Sequence, residues 1–403
     1  MKTCGLDVHK DSVFCAIYNG KSFSVVKEFE TLTNRIREMG TYLQSEGVSK
    51  VAIESTGIYW IPVWDILLEM GFELTLVNPL LIKQTAGRKS DVKDAQWIAE
   101  LLFKGMIRPS IVPSPTINEL RTYTRKYSKL QGQKTRSLTK MNNILVKCSI
   151  RLDCCISNLS NKSFMNIVGA LIDGESDPSK LAKLVHGNTI NKLSGKLRQS
   201  LTGVMKEHHR QNLQWEKEEY DLYQKQTEDC LLKMEQICEE HFSEEVSILR
   251  TIPGVSRISA IAIFAETGGD MSVFENSGKL SGWAGLRPRN DETSKKVKNT
   301  AITKGNKYLR AILVQVAWAA VRTKGSFFMK TFNRLAMRMH RNKALIVVAR
   351  KILVITWHIL TEKTPYNPSI LPVYDPNSIV KKLRYHEKVM LELEKLLPKK
   401  KQK

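Results

Sequence analysis

A chain of 403 residues with 63 Lys plus Arg against 40 Asp plus Glu carries a formal net charge of +23, and its residues are 42% hydrophobic and 26% charged. That is the composition of a folded globular protein of about two to three domains, which excludes a disulfide-stapled miniature and a disordered chain. The excess of cations favours a polyanionic partner, nucleic acid before a membrane surface.

The opening run Met1-Lys2-Thr3-Cys4-Gly5-Leu6-Asp7, followed by His9, Lys10 and Asp11, has no signal-peptide apolar region, so a cytoplasmic protein is expected. The most apolar stretches, Ala311 to Val321 and Ala344 to Leu360, are interrupted by Gln315 and by Arg350-Lys351. They fall short of the roughly 20 apolar residues of a span, so no membrane partner is expected. Cys4, Cys15, Cys148, Cys154, Cys155, Cys230 and Cys238 form no Cys-x-x-Cys pair and no zinc spacing, which predicts free thiols.

Up to about Arg108 the pattern is mixed α/β. The apolar run Cys4 to Val8 and the strand-like segments Ser12 to Tyr18 and Phe23 to Phe29, the last two joined by the turn Asn19-Gly20, predict three antiparallel strands. A helix over Thr33 to Ser45, a strand over Val51 to Glu54, a helix over Ile58 to Met70 and a strand over Phe72 to Val77 follow. Ser90 is placed to N-cap a helix from Asp91 to Lys104. Pro109, Pro113 and Pro115 then mark a linker and the first domain boundary.

Beyond the prolines, Ile117 to about Leu152 is helix-compatible and holds no acidic residue between Glu119 and Asp153. It carries Arg121, Arg125, Lys126, Lys129, Lys134, Arg136, Lys140 and Lys147. A solvated helix normally mixes signs, so a one-sign helix is read as a phosphate-binding face. The stretch from Lys206 to Glu245, with mixed charges and Leu213, Tyr220, Leu231, Met234 and Ile237, predicts a long helix suited to a coiled-coil hairpin or a dimer arm. At Ile248 to Val255 a Pro-Gly turn leads into Ile258 to Glu266; it is similar to a helix-hairpin-helix, in which the bare backbone of Gly254 approaches a phosphate, with a plain helical corner as the alternative. Apolar helices over Lys307 to Val321 and Lys343 to Leu360 precede a basic tail. The resulting domains are 1–108, 116–246, 247–362 and an extension, 363–403.

In so basic a chain the carboxylates in apolar surroundings carry the information. Asp7 sits in the first strand beside Leu6 and Val8, Glu54 ends a second apolar strand, and Asp91 and Asp94 share one face at a helix start. Each has a bland alternative: an edge residue, a loop cap, or complements to a helix dipole. Together they supply the hard oxygen ligands that two divalent ions need for phosphodiester chemistry. The order strand Asp, three-strand meander, strand Glu and paired helix Asp is that of ribonuclease H-like nucleases, so the N-terminal region is expected to be a RuvC-type α/β domain, followed by mostly α-helical regions.

Gly5-Leu6-Asp7-Val8-His9-Lys10, Glu54-Ser55-Thr56-Gly57-Ile58-Tyr59-Trp60 and Lys89-Ser90-Asp91-Val92-Lys93-Asp94-Ala95 resemble the motifs of the DEDD transposases of the insertion-sequence-110 family. Ile252-Pro253-Gly254-Val255, Ala284-Gly285-Leu286-Arg287-Pro288-Arg289 and Ile302-Thr303-Lys304-Gly305-Asn306-Lys307-Tyr308-Leu309-Arg310 resemble it too, in order from Gly5 to Leu360. The resemblance implies a bacterial recombinase in which Asp7, Glu54, Asp91 and Asp94 bind Mg²⁺, with Mn²⁺ as the alternative, and a C-terminal serine completes a composite site. It implies a phosphoserine-linked DNA intermediate, double-stranded DNA as partner and, in some members, a structured guide RNA. Two DNA partners require at least two active sites, hence a homodimer or homotetramer.

The sequence departs from the family at the nucleophile, where Pro288-Arg289 is followed by Asn290-Asp291-Glu292-Thr293-Ser294-Lys295-Lys296 and the usual glycine is Lys295. Ser294 is the expected nucleophile and Thr293 the alternative. Lys295, Lys296, Lys298, Lys304, Lys307 and Arg310 are expected around the attacked phosphate. A hydrolytic nuclease using the same acids, or a binding protein descended from a transposase, are the competing readings.

Overall fold

The computed structural model describes residues 2–54, 57–78, 90–156, 158–185, 195–288, 291–293, 296–299, 301–368 and 383–391, with 291–293 and 296–299 as backbone only. The chain divides into two units between Pro113 and Ser114.

Unit one is a five-stranded sheet with helices. Strands β1 (Lys2–Val8), β2 (Ser12–Tyr18) and β3 (Lys27–Glu30) form an antiparallel meander; β4 (Val48–Glu54) and β5 (Glu73–Val77) run parallel to β1, giving the order β3-β2-β1-β4-β5. This mixed order, with helices α1 (Thr33–Ser45), α2 (Trp60–Glu69) and α3 (Asp91–Phe103), is that of a ribonuclease H-like domain. The third strand is shorter than the run Phe23 to Phe29 predicts. Asn19 Oδ1 accepts from the amides of Lys21 and Ser22, Gly20 takes φ of 93°, and Phe23 makes only an isolated bridge to Tyr18, so pairing resumes at Lys27. The proline-rich segment hydrogen-bonds to the sheet edge, Ser110 N–H donating to the Leu76 carbonyl at 2.7 Å.

β1 lies at the centre and is buried on both faces except at its first residue. Leu6 pairs with Ile53, so Asp7 and Glu54 end adjacent parallel strands. Helix α3 crosses β1 at backbone distance: a Cβ on Gly5 would stand 2.3 Å from the Ala95 carbonyl oxygen and 2.4 Å from the Ala99 nitrogen, and Thr3 Oγ1 donates to the Ala99 carbonyl at 2.9 Å. Only glycine permits this approach. It sets the helix start, where the Ser90 side chain accepts from the Lys93 amide, beside the strand ends.

Unit two is helical apart from one small hairpin among the described residues. Its helices are α4 (Pro115–Lys147), α5 (Lys162–Ile172), α6 (Pro178–Ala182), α7 (Glu207–His241), α8 (Ser243–Leu249), α9 (Arg257–Thr267), α10 (Ser277–Trp283), α11 (Lys307–Arg322), α12 (Phe327–Ala336) and α13 (Arg341–Glu362). The hairpin pairs β6 (Asp291–Thr293) with β7 (Lys296–Asn299). Helices α4 and α7 pack along one another in opposite directions, because Lys140 pairs with Glu216 at 2.9 Å while Lys134, nearer the start of α4, lies over the Tyr220 ring at 5.8 Å. Leu138, Met141, Leu145 and Leu213 close this pair onto Phe164, Ile167 and Leu171 of α5. The apolar helix α13 has the length and composition of a membrane span, yet Val348, Ile352, Leu353 and Ile359 are buried in the core of the unit. All seven cysteines are free, as expected from their spacing.

Candidate metal centre and hydroxyl hairpin

At the centre of the N-terminal unit, Asp7 is 4% exposed. Its Oδ2 lies 3.4 Å from His9 Nε2, which lies 3.5 Å from Asp91 Oδ1. Burial pushes the Asp7 carboxyl up to about 6, opposed by His9 and reinforced by the negative charges of Glu54, Asp91 and Asp94. Glu54, Asp91 and Asp94 therefore all act on Asp7, although the four acids read from the sequence come from two strand ends and a helix start.

The fit of this centre to a divalent cation rests on its donors. Asp7 is a buried carboxyl with three further carboxylates acting on it, and His9 Nε2 is a buried nitrogen without a hydrogen-bond partner among the described residues. Asp7, His9 and Asp91 each offer a ligand atom, all within 4.8 Å of one another. A divalent cation there would neutralise the carboxylates and occupy the orphaned nitrogen. His9 is the residue that reading the acids alone passes over; it lies just beyond the end of β1, two positions from Asp7.

In the C-terminal unit two motif glycines set the base of the hydroxyl-bearing hairpin. A Cβ on Gly305 would lie 2.3 Å from the Gly285 nitrogen and 2.5 Å from the Trp283 carbonyl oxygen, and Gly285 has φ of 73°. The two segments meet backbone to backbone: Thr303 N–H donates to the Arg287 carbonyl at 2.9 Å and Pro288 bridges Ile302. Between them in sequence lie β6 and β7, with Thr293 paired to Lys296. Ser294 and Lys295 lie outside the described residues. Asn306 then N-caps α11, accepting from the Tyr308 and Leu309 amides, while its Nδ2 donates to Glu266 Oε2 at 2.7 Å.

Glu266, absent from the sequence reading, divides the basic residues of α4 into two groups. It is 1% exposed at the end of α9 and receives Arg125 through two hydrogen bonds of 2.7 and 2.9 Å. Arg121 donates to the carbonyls of Ala265 and Glu266, both at 3.0 Å. These two guanidiniums, expected on phosphates, use Nε and Nη2 to fasten α4 to α9. Lys140 is engaged with Glu216 and Glu219 of α7, and Lys134 is half-buried over Tyr220. Lys126, Lys129 and Arg136 are exposed and carry no ion pair among the described residues. Their spacings of three and seven place them on one helical stripe.

Gly254 also has an internal explanation. Its φ is 88°, and a Cβ there would lie 2.5 Å from the Ala320 nitrogen, so the Pro-Gly turn approaches the backbone of α11. Lys304 is exposed, Lys307 is exposed with its Nζ 5.1 Å from the Tyr308 ring centre, and Arg310 is half-buried.

Carboxylates gathered around the buried Asp7 at strand ends and a helix start, in an α/β unit followed in sequence by a helical unit, form an arrangement suited to phosphodiester chemistry. The family model for DEDD transposases of the IS110 type matches residues 4–150, and the model for transposases of the IS116/IS110/IS902 family matches residues 246–332. The chain belongs to the IS110 family of transposases. It is 27% identical over 308 residues to the transposase for insertion sequence element IS1111A of Coxiella burnetii, covering 74% of each chain. It is 26% identical over 136 residues to a pilin gene-inverting protein of Moraxella bovis, covering 33% of this chain and 42% of that protein. Among solved structures, Thermus thermophilus RuvC in complex with a Holliday junction substrate aligns at 14% identity with a TM-score of 0.22, covering 27% of this chain and 99% of RuvC.

Proposed function

We propose that this transposase excises and inserts DNA by cutting and rejoining strands through a covalent link to Ser294, with Asp7, Glu54, Asp91 and Asp94 holding Mg²⁺. The observation that carries the reading is the convergence of Glu54, Asp91 and Asp94 on the buried Asp7 carboxyl, which burial first and their charges second push up. Bound there, two divalent cations supply charge stabilisation to the attacking and leaving oxygens of a phosphodiester.

The chain's own part follows from its residues. Ser294 Oγ loses its proton and bonds to phosphorus while the phosphorus–oxygen bond of the strand breaks, and the leaving oxygen takes up a proton. Rejoining reverses the exchange: a strand hydroxyl attacks the phosphoserine, and Ser294 recovers its proton. Lys295, Lys296, Lys298, Lys304 and Arg310 offset the charge that grows on the phosphoryl oxygens. Thr293 is the alternative nucleophile. The stripe Lys126, Lys129 and Arg136 binds double-stranded DNA, helped by Lys134 where the fold leaves it accessible. A structured guide RNA is a second polyanion that the charge of +23 suits. Two DNA partners call for a homodimer or homotetramer.

The competing reading is hydrolysis by the same acids. A relative named for inverting a gene favours rejoining over release of ends. The test is covalent trapping: protein, Mg²⁺, element-junction DNA and cellular RNA are incubated and denatured, comparing wild type with Ser294→Ala and Thr293→Ala. A protein–DNA band lost only in Ser294→Ala is the expected result. A band lost only in Thr293→Ala moves the nucleophile by one residue, and metal-dependent nicking with no band establishes the hydrolytic reading instead.

A further inference from the structure

His9 stands outside the four family acids but inside their cluster. The turn after β1 holds it: its N–H donates to the Ser12 carbonyl at 2.9 Å, and its ring meets Phe14 edge-on, with centroids 5.9 Å apart and planes at 81°. Although the side chain is 40% exposed, Nε2 itself is buried and lacks a hydrogen-bond partner among the described residues. It faces Asp7 Oδ2 at 3.4 Å and Asp91 Oδ1 at 3.5 Å.

Those separations are long for hydrogen bonds, which peak at about 2.9 Å. They suit donors of a shared ion better. At metal–ligand distances of about 2.1 Å an octahedral ion keeps neighbouring ligand atoms about 3.0 Å apart and opposite ones about 4.2 Å apart. The atoms of Asp7, His9 and Asp91 all fall within 4.8 Å of one another, so a small inward adjustment brings them around one ion.

Resting on the metal-binding reading above, we propose that His9 Nε2 is a direct ligand of one divalent cation, shared with Asp7 and Asp91. A nitrogen donor favours transition ions over Mg²⁺, whose ligands are oxygens. The centre is therefore selective for Mn²⁺ over Mg²⁺ to a degree that four carboxylates alone would not give.

The experiment uses the full chain with Mn²⁺ alone as probe. Pulsed electron paramagnetic resonance of the wild-type complex is expected to show ¹⁴N coupling from a coordinated imidazole. His9→Gln is expected to bind Mn²⁺ without that coupling, at least about tenfold more weakly, with a smaller loss for Mg²⁺. Mn²⁺ bound to wild type without ¹⁴N coupling, coupling that persists in His9→Gln, or equal losses for the two ions would each overturn the proposal while leaving the acids as metal ligands. Failure of wild type to bind Mn²⁺ at all would overturn both readings.

Discussion

At the residue scale, Asp7 is in tension with its surroundings. Its carboxyl is buried and pushed up to about 6, against about 3.9 in an unfolded chain. Between those values the folded protein holds a proton that the unfolded chain has released, so the native state binds more protons and the metal-free protein loses stability as pH rises through the window. Above it the contribution is flat. Asp7→Asn should abolish that fall, leaving a metal-free protein more stable than wild type at neutral pH; paired urea unfolding curves at about pH 4.5 and 7.5 check the difference. The same deprotonation is what a cation requires, so metal affinity should rise with pH through about 6. How far such a residue can be read in sequence is also clear here: the acids are legible from their order, because strand ends and a helix start are local patterns. His9 is not, because it lies in the turn beyond β1 and only the fold shows its Nε2 facing Asp7 and Asp91.

At the element scale, α4 shows why charge alone misleads. Its cations form one continuous basic run in sequence, yet Arg125 is fastened to Glu266 from 141 positions away, and nothing in the local text of α4 announces that partner. Glu266 closes an apolar run and looks like an ordinary helix end until Arg121, Arg125 and Asn306 converge on it. Removing it leaves the half-buried Arg125 guanidinium and the Asn306 amide without their carboxylate, so Glu266→Ala should destabilise the protein by about 1–3 kcal/mol in chemical unfolding. Lys126, Lys129 and Arg136 should behave in the opposite way. Their joint replacement by Ala should leave the unfolding midpoint unchanged and reduce the slope of log affinity against log salt by roughly 2–3, measured by DNA binding across a salt series. The Pro-Gly turn teaches the same lesson: glycine permits close approach, but the sequence does not say to what, and here the neighbour is Ala320.

At the scale of the whole molecule, the widely separated motif blocks acquire physical reasons. Gly5 lets α3 lie against β1 and so delivers Asp91 and Asp94 to Asp7 and Glu54. Gly285 and Gly305 clamp the base of the hairpin that carries Thr293, and Asn306 ties that base to Glu266. The antiparallel meander and the helical character of the second half were legible because hydrophobic period and turn chemistry are local. The helix-to-helix fastening was not, since it depends on pairs that only the fold brings together.

The central claim is that this acid cluster performs the DNA strand chemistry. Its most direct test is element excision and joining in the presence of Mg²⁺ by wild type, Asp7→Asn and Asp94→Asn, with DNA affinity measured in parallel. Both variants should bind DNA as wild type does and yield no joined product. Joined product at wild-type levels from either variant would contradict the account.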